Sequence, residues 1–223
     1  MAEVSSPVEL ARFIEYSLLR PDASAREVEK LCAEARLQNF FGVCVNGARV
    51  LQARHLLEDT DVKVIACVGF PLGAAAADVK RYETEIAIDE GTHEIDVVLN
   101  LGRLKDGDDK AVLRELCDVV EAADERPVKV ILETSLLTRA EKLRACALVV
   151  ESGAHFVKTS TGFSPGGATV DDVKLLREAV GAKFGVVASA GVRDVAMAQA
   201  LIAAGATRLG TFFGLSVLKS SRN

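Results

Sequence analysis

Short apolar runs rich in valine, isoleucine and leucine alternate with longer helical patterns along the whole chain. The runs in the middle of the chain are almost continuously apolar, which is typical of parallel strands covered on both faces. The runs that predict strands are Ile14–Leu18, Gly42–Asn46, Lys63–Gly69, Glu94–Asn100, Val128–Glu133, His155–Thr159, Phe184–Ser189 and Thr207–Thr211. This alternation constrains the fold more strongly than any other feature of the sequence.

The helical segments carry their own start and stop signals. Ser24 and Glu27 form a capping box, because the serine hydroxyl can accept from the glutamate amide while the glutamate reaches back. Thr138 and Thr169 begin two further helices in the same way. Glycines predicted to end helices just before the next strand are Gly91, Gly153 and Gly205.

Eight strand–helix units predict an α/β protein with a single (β/α)₈ TIM barrel domain that spans residues 1–223. Each unit has roughly 26 residues, close to the spacing of a compact barrel. A doubly wound open sheet is the alternative fold, but it normally has fewer strands, and no G-x-G-x-x-G fingerprint follows the first strand. Because no linker rich in proline, glycine or serine divides the chain, we expect one domain.

Composition excludes several classes of function. The 223 residues are 49% hydrophobic and 26% charged, which is enough apolar surface to offset the entropy of an ordered chain. Runs such as Val64–Val68 are much shorter than the roughly 18 residues of a membrane span. The net charge of −5 argues against a nucleic-acid partner, which demands a basic face, but leaves anionic small molecules open.

Cysteine and histidine usage indicates a reducing compartment and no metal cluster. The cysteines are odd in number and form no C-x-x-C pair, so we expect a cytoplasmic protein rather than a disulfide framework. Charged residues interrupt every apolar stretch near the N-terminus, so no secretory signal is predicted there. The three histidines are too widely spaced for a metal-ligand set. The cysteines are Cys32, Cys44, Cys67, Cys117 and Cys146. The charged residues near the N-terminus are Glu3, Glu9 and Arg12. The histidines are His55, His93 and His155.

Titratable side chains lie within three of the predicted strands, where a barrel collects its reactive groups. They are Asp96, Lys129 with Glu133, and Lys158. An isolated buried charge is costly, so each of these side chains is either in a structural ion pair or faces a functional interior. The turn Thr159–Gly162 follows Lys158 with hydroxyls and exposed amides, Thr161 and Gly162 among them, that suit an oxygen-rich ligand. From the residues alone, an amine-based barrel enzyme and a structural ion pair both remain open.

The segment F-V-K-T-S-T-G-F at Phe156–Phe163 closely resembles the Schiff-base lysine segment of the deoxyribose-phosphate aldolases. Four further segments resemble that family in the same order, so the similarity covers almost the whole chain: Val43–Asn46, Val68–Gly73, Glu94–Val98 and Val128–Thr134. The resemblance implies a (β/α)₈ class I aldolase that cleaves 2-deoxyribose 5-phosphate to glyceraldehyde 3-phosphate and acetaldehyde. It also implies that no metal or organic cofactor takes part.

Carried onto this chain, the resemblance implies that Lys158 forms the imine and that Asp96 belongs to the proton relay, acting through a bound water. Cys44 matches a cysteine near the family's pocket that reactive aldehydes can trap, although a plain core thiol explains it equally well. The stretch Val186–Arg193 departs from the family, because Val187 stands where a second lysine usually lies. Valine cannot lower the pKa of a neighbouring amine by charge repulsion. If Lys158 is active, Lys129 or desolvation must therefore activate it, and we expect a weakened natural aldol reaction.

The phosphate-binding segments differ from the family as well. Barrels commonly hold phosphate with the loops after strands 7 and 8. The family's G-G pair is Ala190–Gly191 here, and its G-T-S-A-G segment reads Gly210–Gly214, with Phe212 and Phe213 in place of small or hydroxylated residues. We interpret this as a pocket adapted to non-phosphorylated, more hydrophobic aldehydes. The alternative is that both rings pack against the helix that follows.

Near the N-terminus, the family's D-H-T-L-L segment reads Glu15–Leu19, so Glu15 and Ser17 keep an acid and a hydroxyl but with altered reach. The sequence thus predicts a divergent or engineered lysine-dependent aldolase whose partner is a small aldehyde or a deoxysugar phosphate. An iminium or enamine enzyme for conjugate addition is a close variant, and a catalytically silent phosphosugar- or aldehyde-binding protein is the alternative class. Barrels of this kind often pair through their outer helices, so a homodimer is compatible with the sequence.

Overall fold

The computed structural model describes residues 7–219; residues 1–6, which include Glu3, and residues 220–223 lie outside the described residues, as do the two ends of the expected domain. Eight parallel strands pair in chain order, and β8 closes onto β1. The strands are β1 (Ile14–Leu18), β2 (Gly42–Asn46), β3 (Lys63–Val68), β4 (Glu94–Val98), β5 (Val128–Ile131), β6 (Phe156–Lys158), β7 (Gly185–Ser189) and β8 (Arg208–Thr211). The predicted (β/α)₈ barrel is confirmed, and the open doubly wound sheet is wrong.

Helices connect successive strands on the outside of the barrel. They are α1 (Pro7–Ala11), α2 (Ala25–Gln38), α3 (Val50–Leu56), α4 (Ala77–Asp89), α5 (Leu101–Lys105), α6 (Asp109–Ala122), α7 (Arg139–Glu151), α8 (Val170–Val180), α9 (Val195–Ala203) and α10 (Gly214–Lys219), with 3₁₀ turns at Gly47–Arg49 and Thr134–Leu136. No helix of residues 7–219 is long and apolar enough to cross a bilayer.

The local start and stop signals form as expected. Ser24 and Thr138 each accept from the amide of a glutamate three residues on, and both glutamates complete the capping box. Thr169 caps α8 by accepting from the Asp172 amide. The predicted helix-ending glycines Gly91, Gly153 and Gly205 all have positive φ, as a left-handed turn requires.

Four of the eight strands, β3 to β6, end earlier than their apolar runs. β4 stops at Val98, because Asn100 turns its side chain back to accept from the Arg103 amide and so begins α5. β5 stops at Ile131, two residues before Glu133, which adopts a left-handed backbone (φ 49°). These early ends place polar side chains in the loops at the carboxyl-terminal end of the barrel, where barrel enzymes carry their sites.

The outer faces of the strands form the main apolar core with the helices, whereas the barrel interior contains charged groups. Strand register brings these groups together: Asp96 is the Cα partner of Lys129, and Lys158 is the partner of both Ile131 and Val187. Because side chains alternate between the two faces of a strand, the register determines which residues share the interior.

Candidate active site

Two lysines and two carboxylates form a closed ring inside the barrel. Lys158 Nζ donates to Asp96 Oδ2 and to Glu15 Oε2, the latter at 3.1 Å. Lys129 Nζ lies 2.9 Å from Asp96 Oδ1 and 3.2 Å from Glu15 Oε1. Each carboxylate therefore bridges both ammonium groups, and all four side chains are buried.

Glu94 is a fifth member of this cluster that the sequence analysis did not single out. Its Oε2 lies 2.7 Å from Lys129 Nζ, on the side of the ring remote from Lys158. The signal was present, since Glu94 and Asp96 are two residues apart on β4 and so share one face of the strand. With every group ionised, the cluster carries two positive and three negative charges.

The charge ring changes the expectation for Lys158. Burial alone lowers the pKa of Lys158, but the carboxylates of Asp96 and Glu15 more than offset burial and hold that pKa well above its usual range. Asp96 and Glu15 lie between the two amines, so carboxylates rather than a neighbouring cation surround Lys158, and activation by Lys129 stays a prediction. Burial opposes ionisation of Asp96, yet Lys129 and Lys158 hold the pKa of Asp96 below its ordinary value.

Val187 and Gly210 flank Lys158 with uncharged surface. Val187 is fully buried opposite Lys158 on β7. A Cβ added at Gly210 would lie 3.3 Å from Lys158 Nζ, so glycine leaves the space that the amine occupies. The position on β7 beside Lys158, where the sequence analysis expected a second lysine by comparison with the family, therefore carries the apolar side chain of Val187.

A small cavity of about 10 Å³ opens onto Lys158 at the carboxyl-terminal end of the barrel. A cavity of that size holds about one water molecule. Among the predicted binding residues, those that line it are Ser17, Thr161, Ala190, Gly210 and Phe212, together with Asp96 and Lys158. It is also lined by residues that the sequence analysis did not select: Leu19, Cys67, Phe70, Ile131, Ser160, Ser189 and Thr211.

Three aromatic rings cover this cavity. Phe70 and Phe163 meet edge to face with their centroids 5.2 Å apart, and the centroids of Phe163 and Phe212 are 6.5 Å apart. The ring of Phe212 packs so closely on Gly162 that a Cβ there would lie 2.8 Å from Phe212 Cε2. Phe70 and Phe212 line the cavity itself, so its mouth is apolar.

A larger groove of about 710 Å³ lies outside the aromatic cover. Gly162, Phe163 and Phe213 line this groove, and Phe212 borders both the groove and the inner cavity. Phe213 lies under the Arg193 guanidinium, which is 5.4 Å from the ring centroid. Phe212 thus lies between Lys158 and the groove.

Hydrogen bonds connect the segments that follow β5, β6 and β7. Thr161 donates its hydroxyl to Glu133, whose carboxylate also lies 3.3 Å from the Thr161 amide. Ala190 has a positive φ of 66°, a conformation that suits the glycine of the resembling family better. Gly191 is exposed, and a Cβ there would meet nothing within 4 Å, so it lies at the rim rather than in the cavity.

Cys44 lies below the cavity instead of lining it. Its Sγ is 3.5 Å from Cys67 Sγ and 3.7 Å from Asp96 Oδ2. The hydrogen bond with Cys44 and burial raise the pKa of Cys67, so this thiol stays protonated. These three residues could supply metal-ligand atoms, a cluster that the histidine spacing did not predict. The ammonium groups of Lys129 and Lys158 already engage both oxygens of Asp96.

The family model for the DeoC/LacD aldolases matches residues 16–221. The chain belongs to this aldolase family. It is 52% identical over 212 residues to deoxyribose-phosphate aldolase 1 of Bacillus licheniformis, a match that covers 95% of each chain. It is 50% identical over 215 residues to the deoxyribose-phosphate aldolase of Alkaliphilus oremlandii, covering 96% of this chain and 97% of the relative.

A solved structure of the tetrameric deoxyribose phosphate aldolase from Aeropyrum pernix superimposes with a TM-score of 0.92 at 32% identity. The match covers 98% of this chain and 93% of that one. The family resemblance inferred from the lysine segment is thereby confirmed. This aldolase is a carbon–carbon lyase of the aldehyde-lyase class.

Proposed function

We propose that this chain is a class I aldolase in which Lys158 forms the imine and which reversibly adds acetaldehyde to an aldehyde acceptor. The observation that carries the proposal is the position of Lys158 Nζ, at the floor of the cavity and in contact with two carboxylates. The relatives' names point to 2-deoxyribose 5-phosphate as the parent substrate.

The carboxylates supply the proton transfers that imine chemistry needs. Lys158 must lose a proton before its nitrogen attacks a carbonyl carbon, and Asp96 and Glu15 lie in contact to accept that proton. Asp96 can then return the proton to the carbinolamine oxygen as water leaves, which gives the iminium. The iminium accepts the electron pair released when the α-carbon loses a proton, and the resulting enamine attacks the acceptor aldehyde.

Glu15, rather than a second lysine, is the group beside Asp96 that contacts the Lys158 ammonium and shares its proton. The longer side chain of glutamate, compared with the family's aspartate, bridges Lys158 and Lys129. Since Val187 contributes no charge, the amine is held in its charged form, and we expect the natural retro-aldol reaction to be weakened.

The substrates we propose are non-phosphorylated and more hydrophobic than deoxyribose phosphate. Phe212 lies between the cavity and the outer groove, so an acceptor in the groove contacts aromatic surface as it approaches Lys158. Burying a phenylalanine ring contributes about 1.5–3 kcal/mol. Phosphate binding instead needs amide donors and space.

Borohydride trapping tests this function directly. Incubation with acetaldehyde and borohydride should add an ethyl group to Lys158, detected by peptide mass spectrometry, and Lys158→Met should show no adduct in that peptide. No adduct in the folded wild type would favour the silent binding protein. An adduct without aldol product would favour the conjugate-addition variant, which needs the imine but not the same proton relay.

A ranking of acceptors tests the substrate class. Turnover of an aromatic or alkyl aldehyde, together with weak binding of deoxyribose phosphate, is the expected pattern. Good turnover of deoxyribose phosphate with no activity on neutral aldehydes would contradict it.

We also propose a cytoplasmic location, supported by the cysteine usage, and self-association through the outer helices. The Aeropyrum pernix relative is described as a tetramer. Sedimentation of this chain at several concentrations would measure its own state.

A further inference from the structure

The charged cluster extends through the barrel rather than ending at Lys158. Lys158 is the last residue of β6 and Glu94 is the first residue of β4, so in a barrel of parallel strands they lie toward opposite ends. Ion pairs connect them without a gap, from Glu94 to Lys129, then to Asp96 and Glu15, and finally to Lys158.

Solvent reaches only the two ends of this chain of contacts. The side chain of Glu94 is 9% exposed and that of Lys158 is 5% exposed, whereas those of Lys129, Asp96 and Glu15 are 0% exposed. Arg208 begins β8 at the amino-terminal end of the barrel, and its guanidinium lies 3.8 Å from the centroid of the Phe41 ring. The Oε2 atom of Glu94 that contacts Lys129 is itself buried, so the 9% exposure belongs to the rest of the Glu94 side chain.

The carboxyl-terminal end leaves little room for water beside Lys158. The cavity at Lys158 has room for about one water molecule, and aromatic rings cover it. A bound aldehyde would fill that space. A proton removed from the α-carbon would then have no aqueous route through the mouth.

We propose that Glu94 is the proton port of the barrel: protons that Asp96 takes from the substrate reach solvent through Lys129 and Glu94. This inference rests on the proposed imine chemistry of Lys158. Glu94 touches no reacting atom, so it is a positioning residue that acts through Lys129.

The transfer balances as a concerted shift along the ion pairs. The α-carbon gives its proton to Asp96, and the C–H electron pair moves to the iminium, forming the enamine. Protonated Asp96 passes a proton to Lys129 while Lys129 releases one of its own to Glu94. Lys129 thus ends as an ammonium. Because the Oε2 atom of Glu94 is buried, the Glu94 carboxyl must then rotate to bring its protonated oxygen to water at the amino-terminal end of the barrel. In D₂O the reverse transfer returns deuterium to the α-carbon.

Deuterium exchange at acetaldehyde tests the port. The methyl signal of acetaldehyde in D₂O is followed by NMR with the full-length enzyme, and the rate with Lys158→Met is subtracted as background. For Glu94→Gln, which cannot pass a proton, we expect the exchange to slow by about a hundredfold, the low end of the contribution of a positioned proton-transfer group. Borohydride trapping at Lys158 should stay within about twofold of the wild type.

Two further variants separate proton transfer from folding. Glu115→Gln makes the same change in another buried lysine–glutamate pair, Lys80 with Glu115, which connects the outer helices α4 and α6. The rate of deuterium exchange at acetaldehyde, per folded molecule of Glu115→Gln, should equal that of the wild type. Glu94→Asp keeps an ionisable group and should recover part of the exchange.

The possible outcomes separate a failure of the proton port from a failure of the proposed imine chemistry at Lys158. Wild-type protein without adduct and without exchange would overturn both. Normal trapping with wild-type exchange in Glu94→Gln would overturn the port alone, and so would exchange in Glu94→Asp that is no faster than in Glu94→Gln. Equal slowing in Glu94→Gln and Glu115→Gln would also overturn it, since a general loss of packing would then explain both.

Discussion

Glu15 lies 3.1 Å from Lys158 through its Oε2 atom. The contact is possible because β8 places Gly210 beside Glu15, and glycine leaves room for the amine. In this aldolase the amine is therefore held between two carboxylates, Glu15 and Asp96. The predictions below concern what that arrangement does to the reaction and to stability.

Removing the charge of Glu15 should make Lys158 easier to deprotonate. The raised pKa of Lys158 means that the neutral amine becomes abundant only as pH rises, so imine formation should accelerate with pH in the wild type. Glu15→Gln removes one of the groups that raise this pKa, and the midpoint of the pH profile should fall by about 1 unit. The measurement is the rate of borohydride-trapped adduct formation from neutral to alkaline pH.

Glu34→Gln is the matched control for this prediction, because Glu34 pairs with the neighbouring Tyr16 hydroxyl outside the ring. Its pH profile should coincide with that of the wild type. An unchanged midpoint in Glu15→Gln would show that Asp96 alone determines the ionisation of Lys158.

Restoring the second lysine should increase retro-aldol activity. Val187→Lys places an ammonium opposite Lys158, where charge repulsion lowers the pKa of the reactive amine. We expect an increase of about tenfold in kcat for deoxyribose phosphate cleavage, since the pKa of Lys158 lies well above the working pH and lowering it by one unit raises the neutral fraction of the amine by that factor. Val187→Met, of similar length but uncharged, should show no increase, and equal rates for the two variants would contradict the explanation.

Opening the aromatic cover should change which acceptors bind. Phe212→Ala connects the inner cavity with the outer groove and removes apolar surface. KM for a hydrophobic acceptor should rise by roughly tenfold or more, corresponding to about 1.5–3 kcal/mol of lost contact. KM for a phosphorylated acceptor should fall or stay constant. Tyr82→Ala, which removes an exposed aromatic ring on α4 that lines neither the cavity nor the groove, is the control and should alter both values little.

The buried pair of Lys80 and Glu115 should show strong coupling in stability. Lys80 Nζ lies 2.5 Å from Glu115 Oε1 and donates to the Val98 carbonyl at the end of β4. Lys80→Met leaves a buried carboxylate without its partner and should cost about 3–5 kcal/mol in urea unfolding. The double variant Lys80→Met with Glu115→Leu should recover part of that loss, and additive losses would contradict the coupling.

Sequence patterns were informative where neighbouring residues decide the structure. The capping boxes at Ser24 and Thr138 form as predicted, because both partners lie within one helical turn. All eight strands occur where the apolar runs predict them, although β4 and β5 end two residues early. An apolar run cannot show where the last ladder hydrogen bond forms, since the following loop is equally buried.

The site was predicted less completely. The lysine segment identified Lys158 and the family, and the interior position of Asp96 followed from the resemblance. Glu94 was missed, because the sequence shows only that it alternates with Asp96, not that Lys129 reaches it. The carboxylates that lie between Lys129 and Lys158 were missed for the same reason: they become neighbours only once β1, β4 and β5 are placed side by side.

The sequence alone therefore determined the alternation of strands and helices, the helix starts and the family, since each depends on residues close together in the chain. Only the closed barrel decided the ionisation of Lys158. Glu15 and Lys158 are 143 residues apart, and the pairing of β8 with β1 closes the barrel around them. An electrostatic interaction depends on distances of a few ångströms and on burial, which are properties of the folded chain.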